Sequence, residues 1–246
     1  MDYMDCMLAL YKGTKRQGPG TDEATKKALG YVKLPSKAKI LDIGCGAGAQ
    51  TMTLLNNTKA DVTAVDFFQE FLDPLYNNAK EAGFKERLKT IRGDMNALNF
   101  PDREFDLIWS EGAIYIMGFE KGIRDWKRYL KSGGYLVVSE ATFLKNELPA
   151  ELESFWKNAY SPMGTVESNK EAAMRQGYTV IADFPLGKQG WVDYYEPLKT
   201  NLEAFAKKYK NGDALQLIKE TKEEIEIFEK YFDYYDYCFY VMKKNI

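Results

Sequence analysis

The chain has 246 residues, of which 45% are hydrophobic and 28% are charged, and its formal net charge is −2. This composition is typical of a globular protein with one large core, and the balanced charge argues against a surface that binds nucleic acid. Histidine is absent, which removes histidine metal ligation and the usual general base near neutral pH, and the three cysteines show no zinc or disulfide spacing.

The first predicted element is a helix over residues 21–32. Thr21 is its expected N-cap, and Asp22 and Glu23 fall in its first turn, where acidic side chains interact favourably with the helix dipole. The preceding loop, Arg16-Gln17-Gly18-Pro19-Gly20, has the composition of a linker. We expect residues 1–35 to form an N-terminal helical cap.

A strand predicted over residues 38–43 runs directly into Gly44-Cys45-Gly46-Ala47-Gly48, which opens a helix over 48–57. Glycines at alternate positions can take positive φ and bring bare backbone against a ligand, beside the N–H groups of the helix start. The loop also satisfies the dinucleotide pattern G-x-G-x-x-G/A, so a nicotinamide dinucleotide and S-adenosylmethionine are both candidates. Asp42, just before the loop, would repel a pyrophosphate and attract the amine of a methionine moiety, which favours S-adenosylmethionine.

Strands and helices alternate further along the chain, with strands predicted over residues 61–66, 88–92, 105–110 and 134–140 and helices over 68–82 and 119–130. Such alternation predicts a parallel sheet with helices on both faces and a ligand at the carboxyl ends of the strands. Asp66 ends one strand, at the distance where an acid meets a ribose diol, and Gly93-Asp94-Met95 follows the next.

The run from Leu41 to Thr51 resembles motif I of the class I S-adenosylmethionine-dependent methyltransferases, in which an acid precedes G-x-G-x-G. Four later segments resemble the family's next signals in the same order: Asp66, Asp94-Met95, the strand from Glu104 to Ser110, and the turn Lys131-Ser132-Gly133-Gly134. The resemblance covers roughly residues 38 to 141. No comparable run supports a dehydrogenase.

The resemblance implies an α/β fold with a doubly wound, Rossmann-like sheet of seven strands, mostly parallel with an antiparallel last strand. We expect a single domain over residues 1–246, with a cofactor-binding core over 36–141, a sixth strand over 178–182 and the last strand within 235–246. Residues 142–165 and 186–234 are expected to be insertions that act as helical lids over an acceptor pocket. Helices are predicted over 149–160, 167–176 and 214–234.

The resemblance also implies the cofactor S-adenosyl-L-methionine, with S-adenosyl-L-homocysteine as product. Asp66 would take the ribose hydroxyls, Phe67 and Met95 would pack on the adenine, and Asp94 would accept from its amine. The full set of predicted cofactor contacts is Gln17, Asp42, Gly44, Cys45, Gly46, Gly48, Gln50, Thr51, Asp66, Phe67, Gly93, Asp94, Met95 and Ser110.

Glu111 and Tyr115 follow the fourth strand, where this family transfers the methyl group, and are the predicted catalytic residues. Glu111 would orient a polar acceptor or take its proton, with an ordinary solvated carboxylate as the alternative. Arg16, Glu140, Trp191 and Tyr194 are predicted to bind the acceptor, since an aromatic cluster with a carboxylate near Trp191 suits an amine or a planar molecule. The run from Lys219 to Glu224 is expected to be a solvated helix face.

We therefore expect methyl transfer to a small-molecule acceptor by in-line displacement. Two alternatives remain: a NAD-dependent Rossmann oxidoreductase, and a non-catalytic S-adenosylmethionine-binding protein. No stretch approaches the about 18 consecutive apolar residues of a membrane span and no leader pattern is seen, so we expect a cytoplasmic protein without a membrane partner or a metal. Base rates favour a homodimer.

Overall fold

The computed structural model describes residues 1–246 and contains one sheet of seven strands in the order β3-β2-β1-β4-β5-β7-β6. The strands are β1 (Lys39–Ile43), β2 (Asp61–Asp66), β3 (Leu88–Arg92), β4 (Phe105–Glu111), β5 (Leu130–Phe143), β6 (Tyr178–Pro185) and β7 (Tyr235–Lys244). The strands from β1 to β5 pair in parallel, and β7 pairs antiparallel with both β5 and β6. The predicted doubly wound sheet with an antiparallel last strand is confirmed.

The nine helices are α1 (Tyr3–Tyr11), α2 (Asp22–Leu29), α3 (Ala49–Asn57), α4 (Gln69–Glu81), α5 (Phe119–Trp126), α6 (Ala150–Ala159), α7 (Val166–Arg175), α8 (Lys188–Lys208) and α9 (Gly212–Tyr231). None of them combines the length and the apolar character needed to cross a membrane.

The central strand β1 divides its side chains between two cores. Ile40 packs with Leu54 and Leu75 beneath α3 and α4, whereas Leu41 packs with Ile123 beneath α5. Neighbouring residues of a strand point to opposite faces, so a run that is apolar at every position belongs to a sheet covered on both sides. The covered sheet leaves the carboxyl ends of its strands as the place for a site.

A third core holds the helices outside this sandwich together. Buried side chains of α1, α6, α8, α9 and the start of β7 form it, among them Leu10, Trp191, Phe228 and Tyr235. Aromatic rings dominate its centre, where the ring centroids of Trp191 and Phe228 lie 5.4 Å apart in a stacked arrangement. This core fixes α8 and α9 over one end of the sheet.

Two predicted elements are wrong in extent. The segment Lys131-Ser132-Gly133-Gly134 belongs to β5, which begins at Leu130 and is bulged against β4 between Phe105 and Leu107. The insertion over 186–234 contains a second long helix, α8, in addition to the one predicted over 214–234. Pro197 and the aromatic run before it hide that helix in the sequence, and burial of its aromatic face stabilises it.

Candidate functional site

The glycine loop between β1 and α3 is held by backbone hydrogen bonds to the neighbouring strand. The N–H groups of Gly44 and Cys45 donate to the Val65 carbonyl oxygen at 2.8 and 3.0 Å. Gly46 has a φ of +53°, and a Cβ atom added there would lie 2.2 Å from Oε1 of Gln17. Glycine at position 46 therefore satisfies both a left-handed backbone and a close approach by the N-terminal loop.

Asp66, at the end of β2, ties the glycine loop to the next strand. Its Oδ2 accepts from the Gly46 N–H at 2.8 Å, and its Oδ1 accepts from the Phe68 N–H at 3.0 Å. Burial raises the pKa of Asp66, and these backbone donors offset part of that rise. The carboxylate retains lone pairs that can accept from a ligand's hydroxyl groups.

Asp42 lies behind the loop and is fully buried. Its Oδ2 accepts from Thr51 Oγ1 at 2.5 Å, and its Oδ1 accepts from Gln50 Nε2 at 3.4 Å. Burial raises the pKa of Asp42 to about 7, partly offset by the Thr51 hydrogen bond. Asp42 does not line the cavity described next, whereas Gln50 does, and Gln50 also donates to the Cys45 carbonyl at 3.1 Å.

A cavity of about 560 Å³ lies above the ends of β1, β2 and β4, a volume typical of small-molecule sites. It is lined by these predicted cofactor residues: Gln17, Gly44, Cys45, Gly46, Gln50, Asp66, Phe67, Gly93, Asp94 and Met95. The structure places four other predicted contacts, Asp42, Gly48, Thr51 and Ser110, outside its lining, because each supports the loop or the sheet from behind. We name this space the first cavity.

The predicted adenine end of the first cavity is a turn after β3. Asp94 is exposed, and its Oδ1 accepts from the backbone N–H of Asn96 at 2.8 Å and from Asn96 Nδ2 at 3.1 Å, which lowers the pKa of Asp94. Phe68 and Phe71 also line the cavity, their ring centroids 5.7 Å apart. Neither ring was among the predicted contacts, although both follow Phe67 within four residues in the sequence.

Glu111 is buried and its carboxylate is fully engaged by protein donors. Oε2 pairs with Arg16 Nη1 at 2.9 Å, while Oε1 accepts from Thr25 Oγ1 at 2.7 Å and Trp109 Nε1 at 2.9 Å. These three donors occupy both carboxylate oxygens, and one of them is the Arg16 guanidinium, which also pairs with Asp22. The structure therefore favours a positioning role for Glu111 over the predicted catalytic one.

The N-terminal loop reaches the glycine loop through Gln17. Its Oε1 accepts from the Ala47 N–H at 2.7 Å, and its Nε2 donates to Thr14. Arg16, next to it, bridges Glu111 and Asp22. Arg16 was predicted to bind the acceptor, but these two ion pairs place its guanidinium in the wall of the first cavity instead.

A second cavity of about 590 Å³ adjoins the first, with Tyr11, Gln17 and Tyr115 among the residues that line both. Its wall includes the predicted acceptor residues Trp191 and Tyr194. Both are also core side chains: Trp191 Nε1 donates to Asp236 Oδ1 at 2.6 Å, and the Tyr194 hydroxyl is 2.8 Å from that of Tyr11. They present ring surface to the cavity.

Glu140 lines neither cavity directly. It is 1% exposed, and neither of its carboxylate oxygens has a hydrogen-bond partner within normal geometry. Burial raises the pKa of Glu140 to about 8, and the neighbouring Tyr160 hydroxyl lowers it only in part. Glu140 therefore lies behind Tyr160, which is part of the wall of the second cavity.

Glu224 is half-buried and lines the second cavity. The predicted solvated helix face over residues 219–224 is therefore wrong at Glu224, whereas the other charged residues of the run are exposed as predicted. Glu224 Oε1 accepts from the Tyr195 hydroxyl at 2.8 Å, and burial raises the pKa of Glu224. The alternating acidic and basic residues around Glu224 do not indicate in the sequence that this side chain is buried. It points inward because α9 packs against α1 and α8.

The comparisons with known proteins agree with this geometry. Residues 40–134 match the family model of a methyltransferase domain. Sterol 24-C-methyltransferase ERG6B of Gibberella zeae is 30% identical over 103 residues, which are 42% of this chain and 27% of that protein. The chain thus spans about a quarter of the length of that curated relative.

Demethylmenaquinone methyltransferase of Bacteroides fragilis is 25% identical over 168 residues, covering 66% of this chain and 68% of that protein. Among solved structures, an S-adenosylmethionine-dependent methyltransferase from Geobacter sulfurreducens in complex with S-adenosyl-L-homocysteine superposes with a TM-score of 0.83 at 18% identity, covering 97% of each chain. Residues 40–134 thus match a methyltransferase domain, and the chain shares its fold with an S-adenosylmethionine-dependent methyltransferase.

Proposed function

We propose that this protein transfers a methyl group from S-adenosylmethionine to a small-molecule acceptor. The observation that carries the proposal is the convergence of the glycine loop, Asp66 and the Gly93–Asn96 turn on one cavity, directly beside a second, aromatic-lined cavity. The first has the shape and donor set for the cofactor, and the second leaves room for an acceptor. The relatives and the solved structure named above are methyltransferases, which favours S-adenosylmethionine over a nicotinamide dinucleotide.

The residues of the first cavity fit the proposed cofactor. The left-handed backbone at Gly44 and Gly46 leaves open space for the methionine part, with Gln50 as a polar contact. Asp66 would accept from the ribose hydroxyls, and Phe67, Met95 and Asp94 would hold the adenine. When bound, the sulfonium supplies an activated methyl group to a nucleophile held in line.

Catalysis is then mainly a matter of position and of excluding water. Holding two reactants in line can contribute roughly 7–11 kcal/mol, which reduces the need for a general base in a chain without histidine. Tyr115 lines both cavities, and burial, with nearby Glu224 and Glu140, raises the pKa of its phenol. We propose that Tyr115 stays protonated and orients the acceptor by donating a hydrogen bond.

Calorimetric titration of the full chain with S-adenosylmethionine, S-adenosylhomocysteine and NADH tests the cofactor. We expect the first two to bind at micromolar concentration and NADH not to bind. Asp61→Asn, at the opposite end of β2 and exposed, is a matched control for variants of Asp66. Binding of NADH alone would refute the proposal.

Size-exclusion chromatography tests the proposed homodimer, and cell fractionation tests the proposed cytoplasmic location.

A further inference from the structure

Resting on the proposed function, we propose that the acceptor carries a positively charged amine, which the second cavity binds between its aromatic rings and the carboxylate of Glu224. The class of ligand is an organic ammonium ion with a hydrophobic body. The observations that lead to it are the aromatic and acidic nature of the cavity wall and the absence of a basic partner for Glu224.

The wall of the second cavity combines aromatic rings with acidic side chains. Rings from four separate elements face it, including Tyr11, Tyr115, Trp156 and Tyr194, and the acids Glu220, Glu223 and Glu224 enter from α9. No lysine or arginine is among its lining residues. Aromatic faces and carboxylates both attract cations. A carboxylate repels an anionic ligand, and an aromatic face gives it no counter-charge.

Glu224 lacks a basic partner. Its only hydrogen bond comes from the Tyr195 hydroxyl to Oε1, which leaves Oε2 without a protein donor. The groups that sense its charge are phenols, among them Tyr11, Tyr115 and Tyr194. A partly buried carboxylate without a counter-ion is costly, and an ammonium group would supply both the missing charge and the missing donors.

Glu140 lies behind the wall of the same cavity. Its carboxylate is buried and unpartnered, and Tyr160, which neighbours it, is one of the rings in the cavity wall. The rings of Tyr160 and Tyr115 meet edge to face, with centroids 5.8 Å apart. Because burial raises the pKa of Glu140 to about 8, this acid is mostly protonated at pH 7. The half-buried Glu224 is therefore the acid of this space that needs a counter-ion, whereas Glu111, beside the first cavity, is neutralised by Arg16.

A neutral planar acceptor is the competing occupant. It would pack against the same rings, but it would leave Glu224 without a counter-ion. An anionic acceptor would in addition place two negative charges side by side. The electrostatics of the wall thus select the ammonium ion over molecules of the same size and shape.

Three probes of matched shape test the inference: phenethylamine, 2-phenylethanol and phenylacetate, each titrated into the full chain saturated with S-adenosylhomocysteine at pH 7. We expect the amine, which is protonated at this pH, to bind at least about tenfold more tightly than the alcohol, and phenylacetate to bind most weakly. Equal affinity for the amine and the alcohol, or no detectable binding of the amine at millimolar concentration, overturns the inference.

Two variants separate the role of Glu224 from general charge. Glu224→Gln should reduce the preference for the amine to less than threefold, whereas Glu226→Gln, exposed on the same helix, should keep the full preference. An unchanged preference in Glu224→Gln overturns the assigned site. Circular dichroism shows whether a variant is folded. If a variant misfolds, the three probes titrated into the unmodified protein still test the inference.

The outcomes for the cofactor and for the amine can be distinguished. Failure of S-adenosylhomocysteine to bind refutes the proposed function, and the probes can still be titrated into the protein alone. Binding of S-adenosylhomocysteine without a preference for the amine refutes only the ammonium site.

Discussion

The ion pair between Arg16 and Glu111 gives the sharpest prediction about how the site is held together. Their side chains are 11% and 3% exposed, and the Nη1–Oε2 distance is 2.9 Å. In Glu111→Gln, the amide carbonyl can still accept from Thr25 or Trp109, but its NH₂ group faces the Arg16 guanidinium. The substitution leaves the Arg16 guanidinium with Asp22 as its remaining counter-ion. Because the broken pair is buried, we expect a loss of about 3 kcal/mol in the free energy of unfolding.

For a chain of this size, 1 kcal/mol changes the melting temperature by roughly 2–4 °C, so we expect a fall of roughly 6–12 °C in Glu111→Gln. Thermal unfolding followed by circular dichroism measures it. Asp102→Asn is the matched control: it breaks the exposed pair with Arg128, whose side chains are 59% and 62% exposed, and should change stability by less than about 1 kcal/mol.

A double-mutant cycle with Arg16→Gln isolates the pair. We expect the double variant to be more stable than the sum of the two single losses predicts, by about 1–3 kcal/mol. If Glu111→Gln instead unfolds within about 0.5 kcal/mol of the unmodified protein while methyl transfer is lost, the positioning role is refuted and proton transfer by Glu111 is favoured.

Three further predictions concern the loop, the ribose site and a buried acid. Asp66→Ala should weaken binding of S-adenosylhomocysteine by roughly 30- to 160-fold, which corresponds to about 2–3 kcal/mol, measured by calorimetry. Gly46→Ala should weaken the same binding and loosen the N-terminal loop, because its Cβ atom would meet Gln17 at 2.2 Å. Glu140→Gln should raise the stability measured by urea unfolding relative to the unmodified protein, by a margin that grows with pH from about 4.5 to 8.

The sign of the pH effect follows from the pKa of Glu140, which burial raises to about 8 from 4.5. Between these values the folded protein holds a proton that the unfolded chain has lost, so stability falls as pH rises through this range. Equal margins at pH 5 and pH 8 would contradict the assignment. For Gly46→Ala the control is Gly83→Ala, where φ is also positive but no atom lies within 4 Å, so tight binding should persist.

Much of the first cavity could be predicted from the sequence, because its determinants are local. Gly44, Gly46 and Asp66 lie at strand ends, and the parallel order of the strands brings such ends together at one edge whatever the details of packing. Asp42 lies beside the glycine loop, as its position in the sequence indicates, but the sequence does not show that its side chain lies outside the cavity lining. A residue at the end of a strand can point toward the cavity or away from it, and this depends on the face of the sheet on which its side chain lies.

The second cavity and the state of its acids were decided by tertiary structure alone. Glu111 and Glu224 look alike in the sequence, each a glutamate near aromatic residues. Folding gives Glu111 the guanidinium of Arg16, 95 residues away, and turns Glu224 inward on α9 against phenols. The sequence alone determined the alternating sheet and its glycine loop, since both rest on local periodicity and backbone freedom. Which carboxylate is neutralised and which is left for a ligand depends on contacts between distant segments, and those exist only in the folded chain.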